Sequence, residues 1–449
     1  MSAAAEKAGI PAVSIVTAEY VELARFVAGS QGIPSVATAV IPHEVMSGAI
    51  QDVRPSCEAA VDQIIHALTG WGSPEVSGKS VAQEVLVFEG KDYQDAADRM
   101  ESHFLAQKWS DGLPLVPPTR ERVEWMLSGM DPPRDTVLAV GFEPRFGLIT
   151  VENVAVNAAM AGGRPEYMPV ILAAVDALEK ADRALMRLLN GSTSNFGPLL
   201  MINGPIARQL NVNSSYGMMG PGWKANATIG RIVNLLLTNG GGGHSGPAGN
   251  PTVQGFPARY SWCFAENEEA SPWKPFHMEL GFDKGDSTVT IMAARGMQPI
   301  HLRPPAERVL GAIARQVHSM AVVKYGPMCH LLVLSPAHAE IFADSGWSKE
   351  DIRSFVFDAR AQVALARVEA EGIAYPQEEW VKSIVNIVDK ASLAPRSKES
   401  GDLAIVVGGA PGTYCSTFVS CSRAGATAKI DPFKPRNWPE LLQQAGEEL

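Results

Sequence analysis

Two short patterns occur twice in this chain, in the same order, and a repeated pattern predicts a repeated fold. The run Gly197-Pro198-Leu199-Leu200-Met201-Ile202-Asn203-Gly204-Pro205-Ile206-Ala207 has a counterpart in Gly326-Pro327-Met328-Cys329-His330-Leu331-Leu332-Val333-Leu334-Ser335-Pro336-Ala337. Each reads as an apolar strand entering a proline-containing turn and then a helix. Further on, Gly285-Asp286-Ser287-Thr288-Val289-Thr290-Ile291 parallels Gly401-Asp402-Leu403-Ala404-Ile405-Val406-Val407. A helical stretch separates the landmarks in each copy, over 225–237 and over 349–369. Two motifs in matched order predict two pseudo-duplicated α/β lobes, 91–304 with a helical lead-in and 305–449. The junction of two such lobes is the expected place for a cleft.

The first 90 residues read as a separate, small α/β unit. Ala12-Val13-Ser14-Ile15-Val16 is a short apolar run behind Gly9-Ile10-Pro11, as a buried strand would be. Residues 18–30 carry Tyr20, Leu23, Ala24 and Val27 at helical spacing, and 35–41 is a second strand candidate. Residues 57–68 return to helical spacing, with Val61, Ile64, Ile65 and Leu68 apolar. This β-α-β-α alternation predicts a parallel sheet. The unit opens on what reads as the end of a helix, residues 2–8, where a parallel sheet would want a strand. That order leads us to expect an upstream start or a partner subunit supplying the missing element.

The chain has 449 residues, 46% of them apolar and 19% charged, with a formal net charge of −10. That length exceeds one ordinary core and predicts more than one domain. The acidity is dispersed and no basic stripe exists, which argues against a nucleic-acid partner. No stretch approaches the roughly 20 apolar residues that span a bilayer, and the N-terminus lacks a secretory pattern. Five scattered cysteines (Cys57, Cys263, Cys329, Cys415 and Cys421) do not form a disulfide framework and fit a reducing cytoplasm.

The longest excursion between regular elements, 239–273, holds the polar residues of interest. It starts with Gly240-Gly241-Gly242-Gly243-His244, where backbone amides can approach a ligand, or simply end a helix. Neither a phosphate-loop ending nor a dinucleotide fingerprint is present. Glu266, Glu268 and Glu269 follow, interleaved with Trp262 and Trp273, and then His277. A carboxylate beside an imidazole suits general acid–base work or a divalent metal, although no His-Glu-x-x-His spacing occurs. Glu266, Glu269, His277 and His244 are therefore the expected catalytic set, against the plainer reading of a solvated acidic turn and a packing histidine. Lys224, Asn226 and Arg231 lie at the start of a helix, where an anion is favoured, and they are expected to hold a substrate's carboxylate or phosphate. The plainer reading there is ordinary capping by Asn226. Trp273 and His43, the latter at a strand end in Ile41-Pro42-His43-Glu44, complete the expected substrate contacts.

Residues 8–70, with Gly9-Ile10-Pro11, Thr17-Ala18-Glu19-Tyr20-Val21 and Val40-Ile41-Pro42-His43, resemble the UGSC family of bacterial proteins and selenoproteins. That family is named for a selenocysteine- or Cys-Gly-Ser-Cys motif on the strand and loop just upstream of this position. The motif, which would imply a thiol or selenol role, is absent here. The larger part, with Trp109-Ser110-Asp111-Gly112-Leu113-Pro114 and Ala265-Glu266-Asn267-Glu268-Glu269, resembles the long region accompanying such domains in bacterial proteins, and it carries no reaction with it.

The expected function is an enzyme acting on a small anionic metabolite by elimination, hydration or hydrolysis, acid–base or metal-assisted. The alternatives are a thiol-dependent oxidoreductase using Cys415 and Cys421, and a non-catalytic subunit or homo-oligomer that completes another chain.

Overall fold

The computed structural model describes residues 2–21, 24–25, 28, 37–41, 50–70, 85–246, 249–320, 330–356, 403–421 and 425–447. His43, Cys329 and the later part of the helical stretch expected over 349–369 lie outside these residues. The architecture is α/β. In the N-terminal unit, strands β1 (Val13–Thr17) and β2 (Ala37–Ile41) pair in parallel, Val13 opposite Ala37. A helix precedes them (Ser2–Lys7) and a longer one follows (Ile50–Thr69). The reading of two parallel strands here is right, while much of the helical stretch expected between them lies outside the described residues.

From residue 85 onward the chain builds around one mixed sheet. A small hairpin of β3 (Val137–Phe142) and β4 (Gly147–Thr150) stands apart from it. The sheet contains β5 (Gly197–Asn203), β6 (Cys263–Ala265), β7 (Thr288–His301), β8 (His330–Leu334), β9 (Leu403–Val407), β10 (Cys415–Cys421) and β11 (Ala426–Lys429). Its order is β6-β5-β7-β10-β8-β9, with β11 pairing to β7 beyond the end of β10. In the first half β5 is parallel to β6 and antiparallel to β7. In the second, β8 is parallel to β9 and antiparallel to β10.

The two halves meet edge to edge, through the antiparallel pair β7–β10, so they continue one sheet. The second landmark pair in the sequence also separates. Residues 288–291 belong to β7, antiparallel to β5, whereas 403–407 form β9, parallel to β8. Both are short apolar β-branched runs behind Gly-Asp, and such a run does not encode which neighbour it will pair with. The C-terminal segment crosses back: Ala428, Ile430 and Trp438 pack in the core of the first half.

The sheet curls until its two edge strands approach. The Asn267 N–H, just past β6, donates to the Val407 carbonyl at the end of β9 at 2.8 Å. The Gly409 N–H likewise donates to the Ser214 carbonyl at 2.9 Å. Strand side chains alternate between faces, and the curl makes that alternation an inside and an outside. Leu199 and Met201 of β5, Phe264 of β6, Leu331 and Val333 of β8, and Ala404 and Val406 of β9 form the inner core. Leu200, Ile202, Val289 and Ile291 face a helical layer outside the first half that includes Leu172, Ile229 and Val233. Leu332, Leu334, Leu403 and Ile405 face the helices Ala306–Met320 and Pro336–Asp344 outside the second. Burial on both faces explains why these strands read as continuous apolar runs.

The glycine run ends the helix Lys224–Asn239 and packs on the protein itself. A Cβ at Gly147 in β4 would overlap the Gly240 carbonyl oxygen, and a Cβ at Gly243 would overlap the Asn190 amide. Gly147→Ala is accordingly expected to lower stability by about 2 kcal/mol, because backbone faces backbone there and neither can swing away. Chemical denaturation checks this, and a midpoint equal to that of the unsubstituted protein would show the contact to be loose.

Candidate functional site

Asn203 closes β5 and Glu266 follows β6, so two neighbouring parallel strands deliver an amide and a carboxyl to one end of the curled sheet. Asn203 is in the same alternation as Leu199 and Met201, and it stands directly across from Thr288 of β7. The pairing runs on past the strand end, since the Glu266 N–H donates to the Ile202 carbonyl at 3.1 Å. These residues form a polar rim over the apolar inner core.

Glu266 Oε2 accepts from Asn203 Nδ2 at 2.6 Å and from the Phe276 N–H at 2.8 Å. Its other oxygen, Oε1, lies 3.9 Å from Lys349 Nζ. Burial pushes the Glu266 carboxyl up to about 7, against the opposing pull of Lys349 and the two hydrogen bonds. Desolvation wins because the side chain is sealed from water and the Lys349 ammonium is not in hydrogen-bond contact. Glu268 Oε1 accepts from the Gly204 N–H at 2.7 Å and from Asn203 Nδ2 at 3.0 Å, and it lies 3.6 Å from His277 Nδ1. His277 is completely buried. Among the described residues, neither ring nitrogen of His277 has a hydrogen-bond partner, nor do Glu266 Oε1 and Asn203 Oδ1. Buried polar atoms are rarely left unmatched, so a concentration of them at one place makes it the candidate site.

A buried ion network supports this rim. Lys349 donates to Glu279 Oε1 at 2.5 Å and to the Lys274 carbonyl at 2.9 Å. Arg353 reaches Glu279 Oε2 and, through Nε, the Leu403 carbonyl at 2.9 Å. Residues 349–356 are helical, so Lys349 and Arg353 sit one turn apart on the same face and clamp the short helix Phe276–Glu279 from the second half of the chain.

Of the described residues singled out in the sequence, Glu266 and His277 are linked through Asn203 and Glu268, and the others are placed elsewhere. Glu269, next to Glu268, turns outward into an exposed ion pair with Arg208 at 2.7 Å. His244 lies in a turn packed on Asn190, ahead of β5, whereas Asn203 ends β5; a strand of that length separates the two ends by about 20 Å. Lys224 is exposed. Asn226 is buried, and its side chain bonds the Asn213 N–H at 2.8 Å and the Asn213 and Met218 carbonyls at 3.1 Å, so it anchors the loop before its helix. The N-cap is Trp223, not Asn226. Arg231 forms a two-point bond with Asp111 at 2.7 and 2.9 Å and reaches the Leu113 and Pro114 carbonyls, tying down the Pro-stiffened segment. Trp273 donates from Nε1 to the Trp347 carbonyl at 3.2 Å and packs on the second-half core.

Asn203, Lys349, Glu279 and Arg353 escaped sequence reading. Asn203 ended a strand read only for its apolar residues, Glu279 stands two residues past His277 without being singled out, and Lys349 and Arg353 come from a distant segment. Cys415 and Cys421 bound one extended strand, β10, with Cys415 exposed and Cys421 buried. A strand of this length holds them about 20 Å apart, well beyond disulfide reach. No group of three or more His, Cys, Asp or Glu among the described residues is arranged to hold a metal ion, and no described helix is long and apolar enough to cross a membrane.

Residues 2–70 match the sequence profile of the UGSC family, so the N-terminal unit is UGSC-like, and the long C-terminal region has no assigned family. No curated protein and no solved structure matches the chain.

Proposed function

We propose that the chain is an enzyme that moves a proton on a small polar metabolite, in an elimination, hydration or hydrolysis of the lyase, hydratase or hydrolase type, with Glu266 as the proton carrier. The supporting observation is the Glu266 carboxyl itself, fully buried, pushed up to about 7 and linked through Asn203 and Glu268 to the buried His277 ring. A carboxyl with that value exchanges its proton near neutral pH, where an ordinary glutamate stays ionised. Asn203 and the Phe276 N–H fix its Oε2, which leaves Oε1 as the reactive oxygen. His277, with Glu268 at 3.6 Å, supplies the second polar group on the substrate. Lys349 moderates the carboxyl from 3.9 Å. Because Glu266 and His277 are both enclosed, the reading requires the seam between Asn267 and Val407 to open for the substrate.

The test is a metabolite screen by mass spectrometry with the whole protein, followed by Glu266→Gln and His277→Ala. Turnover of a small acid or hydroxy compound with gain or loss of water is expected, and Glu266→Gln should slow it about 10²- to 10⁴-fold. Equal turnover in Glu266→Gln and the unsubstituted protein would remove Glu266 from the chemistry.

A further inference from the structure

We propose that the loop between β9 and β10, residues 408–414, is the lid of the Glu266 site and swings on Gly409 and Gly412. Its purpose rests on the reading of Glu266 as the reacting group, but the motion itself is measured without a substrate.

Glu266 directly follows β6, the edge strand of the curled sheet, and its own N–H turns inward to Ile202 of β5. Backbone direction alternates along a strand, so the amides on either side of it point outward. The Ala265 N–H donates to the Asn213 carbonyl at 3.1 Å, and the Asn267 N–H to the Val407 carbonyl at 2.8 Å. The edge beside Glu266 is thus closed from Asn213 and from Val407, and the two closures are held very differently.

The closure at Asn213 is pinned. The Asn226 side chain bonds the Asn213 N–H at 2.8 Å and its carbonyl at 3.1 Å. The Asn213 side chain in turn bonds the Tyr216 carbonyl and the Ser215 N–H. The closure at Val407 leaves the sheet one residue later, where the Gly408 N–H donates to the Leu334 carbonyl at 2.9 Å. From Gly409 to Thr413, two hydrogen bonds tie the loop to other segments among the described residues. The Gly409 N–H donates to the Ser214 carbonyl at 2.9 Å, and Asn267 Nδ2 donates to the Gly409 carbonyl at 3.2 Å. Pro411, Gly412 and Thr413 are exposed. Gly409 (φ 92°) and Gly412 (φ 88°) bracket this tip in the left-handed region that favours glycine. No atom lies within 4 Å of where a Cβ would stand at either glycine, so neither hinge is packed in. Lifting the tip frees the Asn267 side chain and unlocks the strand edge at Glu266.

Hydrogen exchange of the full chain, read at single amides with no ligand added, tests the lid. The Asn267 and Gly409 amides are expected to exchange at least about 100-fold faster than those of Phe418 and Val419. The latter lie inside the sheet, in β10, and need it to come apart, whereas the lid opens locally. Gly412→Ala places a Cβ in free space at a positive φ, so it strains the closed lid and little else. It should speed the Asn267 amide about ten-fold. Gly409→Ala should act alike and serves if the first variant is poorly folded. Gly255→Ala, at an equally open left-handed glycine in the turn bonded to Thr193 ahead of β5, should leave Asn267 unchanged. The proposal is overturned if Asn267 and Gly409 exchange as slowly as Phe418, or if the folded lid variant leaves Asn267 as it was. These readouts need no turnover, so slow exchange removes the lid alone, whereas unchanged turnover in Glu266→Gln removes the acid–base reading alone.

Discussion

Glu279→Ala is expected to cost the fold about 3 kcal/mol, the largest loss from any single polar residue described above. Glu279 answers two cations at once, Lys349 Nζ on one oxygen and Arg353 Nη2 on the other, both at 2.5 Å. The side chains of Lys349 and Arg353 are only 6% and 9% exposed, so neither charge can turn to water when the carboxylate is removed. The penalty arises from what is left behind. An intact buried ion pair adds little net stability, but a buried charge stripped of its partner is costly. The pair also joins the helix Phe276–Glu279 of the first half to residues 349–356 of the second. Denaturant unfolding should show a lower midpoint with an unchanged slope. A midpoint shift worth less than about 0.5 kcal/mol would mean that the two cations find other partners.

The second large effect is a dependence of stability on pH that runs opposite to the usual acid denaturation. Glu266 is raised from 4.5 to about 7 by burial, so between those values the folded state holds a proton that the unfolded state has released. Its contribution is therefore intact below pH 4.5 and is lost as pH rises through about 7. A shift of that size corresponds to about 3 kcal/mol once the carboxyl has ionised in both states. Glu266→Gln cannot ionise and keeps an oxygen for Asn203 and Phe276, so its stability should stay flatter across the same interval. Unfolding curves from about pH 4 to about pH 8 on both proteins isolate the Glu266 contribution by difference. Parallel curves would show that Glu266 ionises at an ordinary value and that the acid–base reading has lost its support.

The N-terminal unit was the most legible part of the fold. Short apolar runs at 12–16 and 35–41 separated by a stretch of helical spacing leave little but a parallel pair, and that is what forms over 13–17 and 37–41. The strands 197–203 and 330–334 were equally plain, since each is an unbroken apolar run closed by a proline turn. The next strand in each half was harder. Residues 263–265 make only a three-residue strand, too short to show any period, and so 403–407 was matched to the wrong partner. The site was legible in the same uneven way. Glu266 and His277 stood out as polar residues among aromatics, but Glu269 stood out just as clearly and faces solvent. Nothing local distinguishes residues 266, 268 and 269. The first continues the pairing of β6, the second turns back to the Gly204 amide, and the third lies one step further round a single 3-10 turn.

The sequence by itself determined the longer apolar strands and the parallel pair near the N-terminus, because apolar spacing, proline and glycine act within a few residues of where they stand. Only the tertiary structure decided that the sheet curls until Asn267 meets Val407, and that Lys349 arrives beside Glu266 from a position 83 residues away. Those are long-range placements, and they set the desolvation and the nearby charges from which the Glu266 carboxyl takes its chemistry. A glutamate in a sequence is an ordinary acid until the fold removes the water around it.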